Sequence, residues 1–402
     1  MHLRKVVLSA CLLLFTCGLA GAAEEEPGLV SAADLSFEAE YESGCLYRAG
    51  EVRVLELQGN YRQMGRQYGH LLGAEMVSLY QSAIEDYYIQ EMGLSPERID
   101  DVAQAVFFRY PRRYREILLG MAESSGLSEQ HVIRLNALEW IPKIYALSYG
   151  HCSGVAAWGP YTSGRPLVFG RNNDDGEYFK QFAVPLVIAV FKPADGSIPV
   201  ALVNYVGVIY AATGMNAEGL FVELNSGPWV GFSLERKSIF TSLFTFLQDC
   251  ANLDELTLAM LATLPELNTI INAADRRSAC SFESSLWHAR RRGPNEPGFI
   301  AATNHFLSMD WPPANYDPQL RPDTTFRRYE NLLRLGQRYY GRFSPAMMMR
   351  VLDTTIENGG PTDATDTIFQ VVAVPAQLVL WMKMPGTQDW TKVPLGPLMG
   401  KE

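Results

Sequence analysis

The chain has 402 residues, 48% of them hydrophobic and 19% charged. That composition excludes a disordered chain and supplies apolar surface for a large core. A formal charge of -10 argues against a nucleic-acid binder, and six cysteines over this length exclude a disulfide-dense scaffold.

Arg4 and Lys5 precede a continuous apolar run from Val6 to Ala20, and Ala20-Gly21-Ala22 reads as a small-residue cleavage site. Residues 1–22 are therefore expected to be a signal peptide, removed on export to a periplasmic or secreted location. The run is too short for a comfortable membrane span, and Glu24-Glu25-Glu26 follows at once. No later stretch reaches 18 consecutive apolar residues, so no integral membrane span is expected in the mature chain. Loss of Cys11 and Cys17 leaves Cys45, Cys152, Cys250 and Cys280.

Residues 23–50 show no clear periodicity and read as a loose leading segment. Val52 to Leu57 alternates like a half-buried strand ended by Gly59. From Tyr61 to about Tyr88 the pattern is helical, with Met64, Tyr68, Leu71, Leu72, Met76 and Leu79 at three- and four-residue steps. Val102 to Glu123 reads the same way, broken near Pro111, with Gly126 as its C-cap. Ser128 caps the next helix. Beyond residue 150 short β-rich runs take over: 167–169, 185–191, 199–205, 208–212 and 220–224. Residues 249–264 return to helical spacing. Runs 269–273 and 280–287 flank a hairpin turn at Asp275-Arg276-Arg277-Ser278. A strand at 299–303, a basic amphipathic helix at 324–340 and a hairpin of 368–374 with 377–382 complete the pattern. Hairpins with interspersed helices predict an α+β layer architecture packed as one unit.

No Gly-x-Ser-x-Gly elbow, phosphate-binding loop, dinucleotide fingerprint or His-Glu-x-x-His motif occurs, and the five histidines of the mature chain show no metal-ligand spacing. No metal or cofactor is expected. What remains is Gly150-His151-Cys152-Ser153-Gly154, followed nineteen residues after Cys152 by Arg171-Asn172-Asn173-Asp174-Asp175 at a strand end. A thiol becomes a nucleophile when a neighbour takes its proton, and charged and amide side chains at a strand end can orient it. A structural cysteine beside a solvated turn explains the same residues.

Together these segments resemble the isopenicillin N acyltransferase family of N-terminal-nucleophile hydrolases and, more distantly, bile salt hydrolases and acid-ceramidase-type amidases. The resemblance runs from Gly59-Asn60-Tyr61 through Glu123 to Ser128, Cys152, Gly170-Arg171-Asn172-x-Asp174, Gly214 to Leu220 with Leu224-Asn225, and Thr303-Asn304-His305-Phe306. It implies a four-layer αββα fold. It also implies self-cleavage at His151–Cys152 into a mostly helical segment 23–151 and a strand-rich catalytic segment 152–402, the two forming one domain. By the same resemblance Cys152 is the nucleophile, with its freed α-amine as base. Asp174 holds that amine, Arg171 favours the thiolate, and Asn225 and Asn304 are amide donors near the oxyanion. Arg328, with Arg327 as the alternative, comes from the helix at 324–340.

Glycine and threonine are usual on either side of such a nucleophile; here His151 and Ser153 stand there. Tyr205, Tyr210 and Trp229 are candidates to line an apolar acyl pocket, with core packing as the competing reading. The expected partner is a small N-acyl amide, with no nucleic acid; oligomeric state stays open. Three readings stand beside exported hydrolysis: an acyltransferase of the same family, an unprocessed Cys/His hydrolase using His288 or His305, and a non-catalytic binding protein. One disulfide at most is expected, Cys250–Cys280.

Overall fold

The computed structural model describes residues 35–144, 151–175, 179–182, 185–233, 235–308 and 324–401. The segment read as a signal peptide lies outside the described residues. The strand at 52–57 forms as β3 (Val52–Gly59). The helical pattern after it becomes α1 (Tyr61–Leu79), continuing as a wider π-helical stretch over Tyr80–Glu91. Asn60 starts α1 with a capping box: Gln63 N donates to Asn60 Oδ1 and Asn60 N to Gln63 Oε1, both at 2.9 Å. Met64, Tyr68, Leu72, Met76 and Leu79 are buried, each such side chain contributing about 2 kcal/mol. Helices α2 (Pro96–Phe107), α3 (Arg112–Ser124) and α4 (Glu129–Leu135) follow. Ser128 caps α4 by accepting from His131 N at 3.2 Å. Helix α3 lies close on α1 because Gly65 and Gly120 face each other; a Cβ on either would collide with the partner helix's backbone. The short α5 (Trp140–Ile144) ends this part.

One sheet of ten strands runs β1 (Ser36–Tyr41), β2 (Gly44–Ala49), β3, β6 (Leu186–Pro193), β7 (Val200–Tyr205), β8 (Thr213–Asn216), β9 (Phe221–Ser226), β10 (Thr269–Ala274), β11 (Ala279–Ser284), β12 (Ala289–Arg292). Only β3 and β6 pair in parallel; the other neighbours are antiparallel. A second sheet of six runs β13 (Phe299–Ala302), β4 (Ser153–Ala157), β5 (Val168–Asp174), β14 (Thr367–Val374), β15 (Val379–Met384), β16 (Gln388–Pro394), all antiparallel.

The sheets face each other: Phe169 of β5 meets Phe221 of β9 at 4.9 Å between ring centroids. Helices cover the outside. Four further ones are α6 (Ile239–Asp249), α7 (Leu253–Leu261), α8 (Thr324–Arg338) and α9 (Pro345–Asp353). Ring stacking of Tyr114 on Phe244 at 4.1 Å joins α3 to α6. Across the small sheet, Gly170 lies against Met348 of α9, and Gly336 of α8 against Phe299. The result is the four-layer α+β arrangement of helices, sheet, sheet and helices, and one continuous apolar core includes residues from Leu46 to Met399.

Several expectations are corrected. The leading segment is not loose over residues 36–49, which form the β1–β2 hairpin on the edge of the large sheet. Its first strand is largely exposed, so no apolar alternation marks it. The run 208–212 is not a strand, because its backbone is bound elsewhere. Ile209 N donates to Asn136 Oδ1, Asn204 Nδ2 donates to Tyr210 O, and Ala211 N donates to Phe240 O. Helix α6 is a further element beyond the expected ones, although Ile239, Phe240, Leu243, Phe244 and Leu247 recur at helical spacing behind the Ser238 cap. Strand β16 was also missed. The Cys250–Cys280 bridge is absent, and all four described cysteines are free thiols. Cys280 lies inside β11 opposite Ala273, whereas Cys250 ends α6 with its carbonyl accepting from Asn216 Nδ2 at 2.7 Å.

Candidate active site

Strand β4 begins immediately after Cys152, and its antiparallel pairing with β5, Ser153 opposite Asn172, brings Cys152 beside the end of β5. The first glycine of β4 is required there: a Cβ on Gly154 would collide with Glu223 Oε1 from the facing sheet. Alternation along β5 places Arg171 and Asn173 on the same side. Arg171 Nη2 lies 3.9 Å from Cys152 Sγ and donates to Asn173 Oδ1 at 2.6 Å. The thiol itself lies 3.9 Å from Asn173 Oδ1. Arg171 is fully buried. It is held by Glu223 Oε2 and by Leu224 O at 2.9 Å. Glu223 also accepts from Asn272 Nδ2, so this buried ion pair is embedded in hydrogen bonds.

Asp174 ends β5 and is completely buried. Its Oδ1 accepts from Thr367 Oγ1 at 2.7 Å, its carbonyl accepts from His151 N at 2.7 Å, and its own amide donates to the Cys152 thiol. Its Oδ2 is buried with no hydrogen-bond partner. Burial pushes this carboxyl up to about 8, against the nearby Arg328 charge. The Cys152 thiol is pushed up to about 12, again chiefly by burial, with Arg171 opposing and Asp174 reinforcing. A thiol in this state is protonated at neutral pH and needs a base.

The bond preceding Cys152 is held from both ends. His151 N is tied to Asp174, and the His151 ring Nδ1 lies 3.3 Å from Asp366 Oδ2. On the other side, Arg328 Nη1 donates to Cys152 O at 2.6 Å and to Ser153 Oγ at 2.7 Å. Arg328 Nη2 donates to Asn304 Oδ1 at 2.8 Å. Of the two arginines weighed on this helix, Arg328 is therefore the one that reaches Cys152; Arg327 donates to Ile356 O at 3.3 Å. Asn304 Nδ2 donates to Ser226 O at 2.9 Å and Asn225 Nδ2 to Thr303 O at 3.2 Å. Both amides thus tie β9 to the end of β13, and Asn225 Oδ1 is buried without a partner.

The cleft at Cys152 is lined also by Glu139 and Lys143, Phe179, Tyr205 and Ser226, and its open space is about 30 Å³, room for one or two waters. Of the three aromatics proposed for an acyl pocket, Tyr205 lines this cleft and stacks on Phe179 at 4.7 Å. Tyr210 packs edge-on against Trp140 and Phe240 in the core. Trp229 sits half-buried in the loop after β9, outside the cleft lining. Neither histidine of the Cys/His reading reaches the cleft. His288 is exposed. His305 is buried against Thr303, Thr325 and Phe326, and burial lowers it to about 4. Among the described residues no three His, Cys, Asp or Glu side chains gather as a metal site.

Sequence reasoning missed Glu223, Asn173, Thr367, and the Glu139–Lys143 pair. A lone acid in the fully buried strand Phe221–Ser226 was a usable signal for Glu223, because such a charge needs a partner. The others depend on which strands become neighbours.

No family model matches the chain. It is 26% identical over 204 residues to Protein dcd1B of Dictyostelium discoideum, covering 44% of this chain and 39% of that protein. The chain thus matches about two fifths of that relative's length. Among solved structures it is similar to a Caenorhabditis elegans N-acylethanolamine-hydrolyzing acid amidase ortholog, at 18% identity, TM-score 0.43, 59% of this chain and 95% of that one. It is also similar to a mutant conjugated bile acid hydrolase from Clostridium perfringens, at 16%, TM-score 0.39, 62% and 95%. A third is penicillin V acylase from Agrobacterium tumefaciens, at 11%, TM-score 0.39, 61% and 86%.

Proposed function

We propose that this chain is an exported, self-processing cysteine hydrolase that cuts the linear C–N amide bond of an N-acylated small molecule. The observation that carries the reading is the buried, partnerless Asp174 Oδ2 beside a thiol flanked by Arg171. A buried carboxylate at such a cleft is stabilised by a cation, and cleavage at His151–Cys152 would create one there.

In the processing step Cys152 Sγ adds to the carbonyl carbon of His151, and the C–N bond to Cys152 breaks. The thiol proton ends on the departing amine. Water then splits the thioester, leaving a carboxyl on His151 and the thiol restored. Arg328, on the carbonyl of Cys152, and Asp174, on the amide of His151, hold the two flanking peptides while this occurs. The freed α-amine, with a reference pKa near 8, can then take the thiol proton. Asp174 holds the resulting ammonium, and Arg171 stabilises the thiolate. The thiolate attacks the substrate's amide carbon, the ammonium returns its proton to the leaving amine, and water releases the acid from the acyl-thioester. Hydrolysis is preferred to transfer because the leader supports export, away from intracellular coenzyme A thioesters.

Cys152→Ala tests the assignment. It is expected to remain one uncut chain and to lose amidase activity; retained activity in that variant overturns it.

A further inference from the structure

Away from Asp174, the described residues bury one other carboxylate oxygen without a hydrogen-bond partner, Oε1 of Glu266. Glu266 lies between α7 and β10 and is fully buried. Its Oε2 accepts from the amide of Ile239, the first residue of α6, at 2.7 Å, and its carbonyl accepts from Ser233 N at 2.8 Å. The charged group that acts on it is Arg109, from the turn between α2 and α3, whose guanidinium lies 5.6 Å from the centre of the Phe232 ring. Lys237, paired through its backbone with Pro265, is exposed. Burial pushes the Glu266 carboxyl up to about 7, against the Ile239 amide, the Ser238 hydroxyl and Arg109.

The bond to Ile239 is one residue from the cleft at Cys152. Phe240 lines that cleft and packs on the rings of Trp140 at 5.1 Å and Tyr210 at 5.0 Å. Its carbonyl accepts from Ala211 N at 3.2 Å, and Ala212, the next residue, also lines the cleft. A carboxyl that gains charge in this seat must reach water or Arg109, and either move displaces the first turn of α6.

We propose that Glu266 is a positioning residue for the amide hydrolysis: while neutral it seats the first turn of α6 and the Phe240 wall of the cleft, and on ionising it unseats them. The proposal rests on the amidase reading. Glu266 acts through Phe240 and touches no reacting atom, so its effect is read in KM more than in kcat. The sign follows from the raised carboxyl: the folded seat keeps a proton that the unfolded chain loses earlier, so the seat is firm on the acid side and weakens as pH rises through about 7.

The test uses the full chain from about pH 5.5 to about pH 8.5. It measures kcat and KM for one fluorogenic amide, and hydrogen exchange of the peptide that begins α6, corrected for the intrinsic exchange rate. Above about pH 7, KM is expected to rise by up to about tenfold per pH unit, the limit for one linked proton, while protection at the start of α6 falls over the same range. Glu266→Gln keeps an acceptor for Ile239 N and cannot ionise, so both trends should vanish and KM should stay near the parent's acid-side value. Arg109→Gln, which takes away the counter-charge, should move both transitions to higher pH. Trends that persist unchanged in Glu266→Gln overturn the proposal. Protection that follows Glu266 while KM stays flat in both proteins severs the link to the cleft and also overturns it. The exchange measurement needs no turnover, so failure to hydrolyse any amide counts against the amidase reading, separately from the seat at α6.

Discussion

Asp174→Asn keeps the shape of the carboxyl and the bond from Thr367 while removing its charge. In the uncut chain burial raises this carboxyl from 3.8 to about 8. At about 1.36 kcal/mol per pH unit, holding it ionised costs on the order of 6 kcal/mol as an upper bound. A cation beside Oδ2 offsets that cost, and in the proposed mature enzyme the cation is the Cys152 α-ammonium. Asp174→Asn is therefore expected to lower kcat/KM by about 10²–10⁴, the range for a misplaced acid–base group.

A second signature belongs to the uncut state, isolated as Cys152→Ala. A raised carboxyl pKa means that the folded chain keeps a proton the unfolded chain has already lost. That stability is fully present below about pH 4 and falls as pH rises through about 8. Thermal melts of Cys152→Ala should show a midpoint declining over that window, and adding Asp174→Asn should flatten the decline. Equal slopes in the two proteins, or a cleaved Asp174→Asn enzyme with the parent's kcat/KM, would refute the reasoning.

Arg171→Met leaves Glu223 charged and buried without its partner and should destabilise the fold by about 3–5 kcal/mol; denaturant titration of the Arg171→Met/Glu223→Gln double variant should recover part of that loss. His305→Ala should retain amidase activity, because this histidine packs outside the cleft and is neutral at pH 7; abolished turnover in a folded His305→Ala protein would revive the Cys/His reading. Weakening the clamp before the cut, by Asp366→Ala, should slow self-cleavage while His151→Asn, which keeps a donor near the Nδ1 position, slows it less; time courses of intact mass read both.

The parts of the fold that were legible had strong local signals. The alternation of Val52–Leu57, the stripe from Met64 to Leu79 and the Ser128 cap each depend on neighbours within a few residues. The missed elements divide. Strand β1 sits exposed at an edge, whereas α6 did carry a helical period, from Ile239 to Leu247, that went unread. Segment 208–212 has β-like composition, yet its hydrogen bonds go to Asn136, Asn204 and the Phe240 carbonyl rather than to a neighbouring strand. The site divides in the same way. Cys152, Arg171 and Asp174 lie within 23 positions and meet because β4 and β5 form adjacent antiparallel strands. Glu223 lies 52 positions from Arg171, and only the facing of two sheets brings them together. Tyr210 shows the limit of composition: an aromatic in a β-rich run near the site, it belongs to the Trp140 and Phe240 packing.

In the proposed mature enzyme Cys152 is an amino terminus. Intact mass of the full-length protein after expression and purification, with mapping of each new terminus, tests it most directly. Two chains that stay associated are expected, one beginning at Cys152 and ending as the parent does, the other ending at His151. An active enzyme in which residues 151 and 152 remain joined would contradict it.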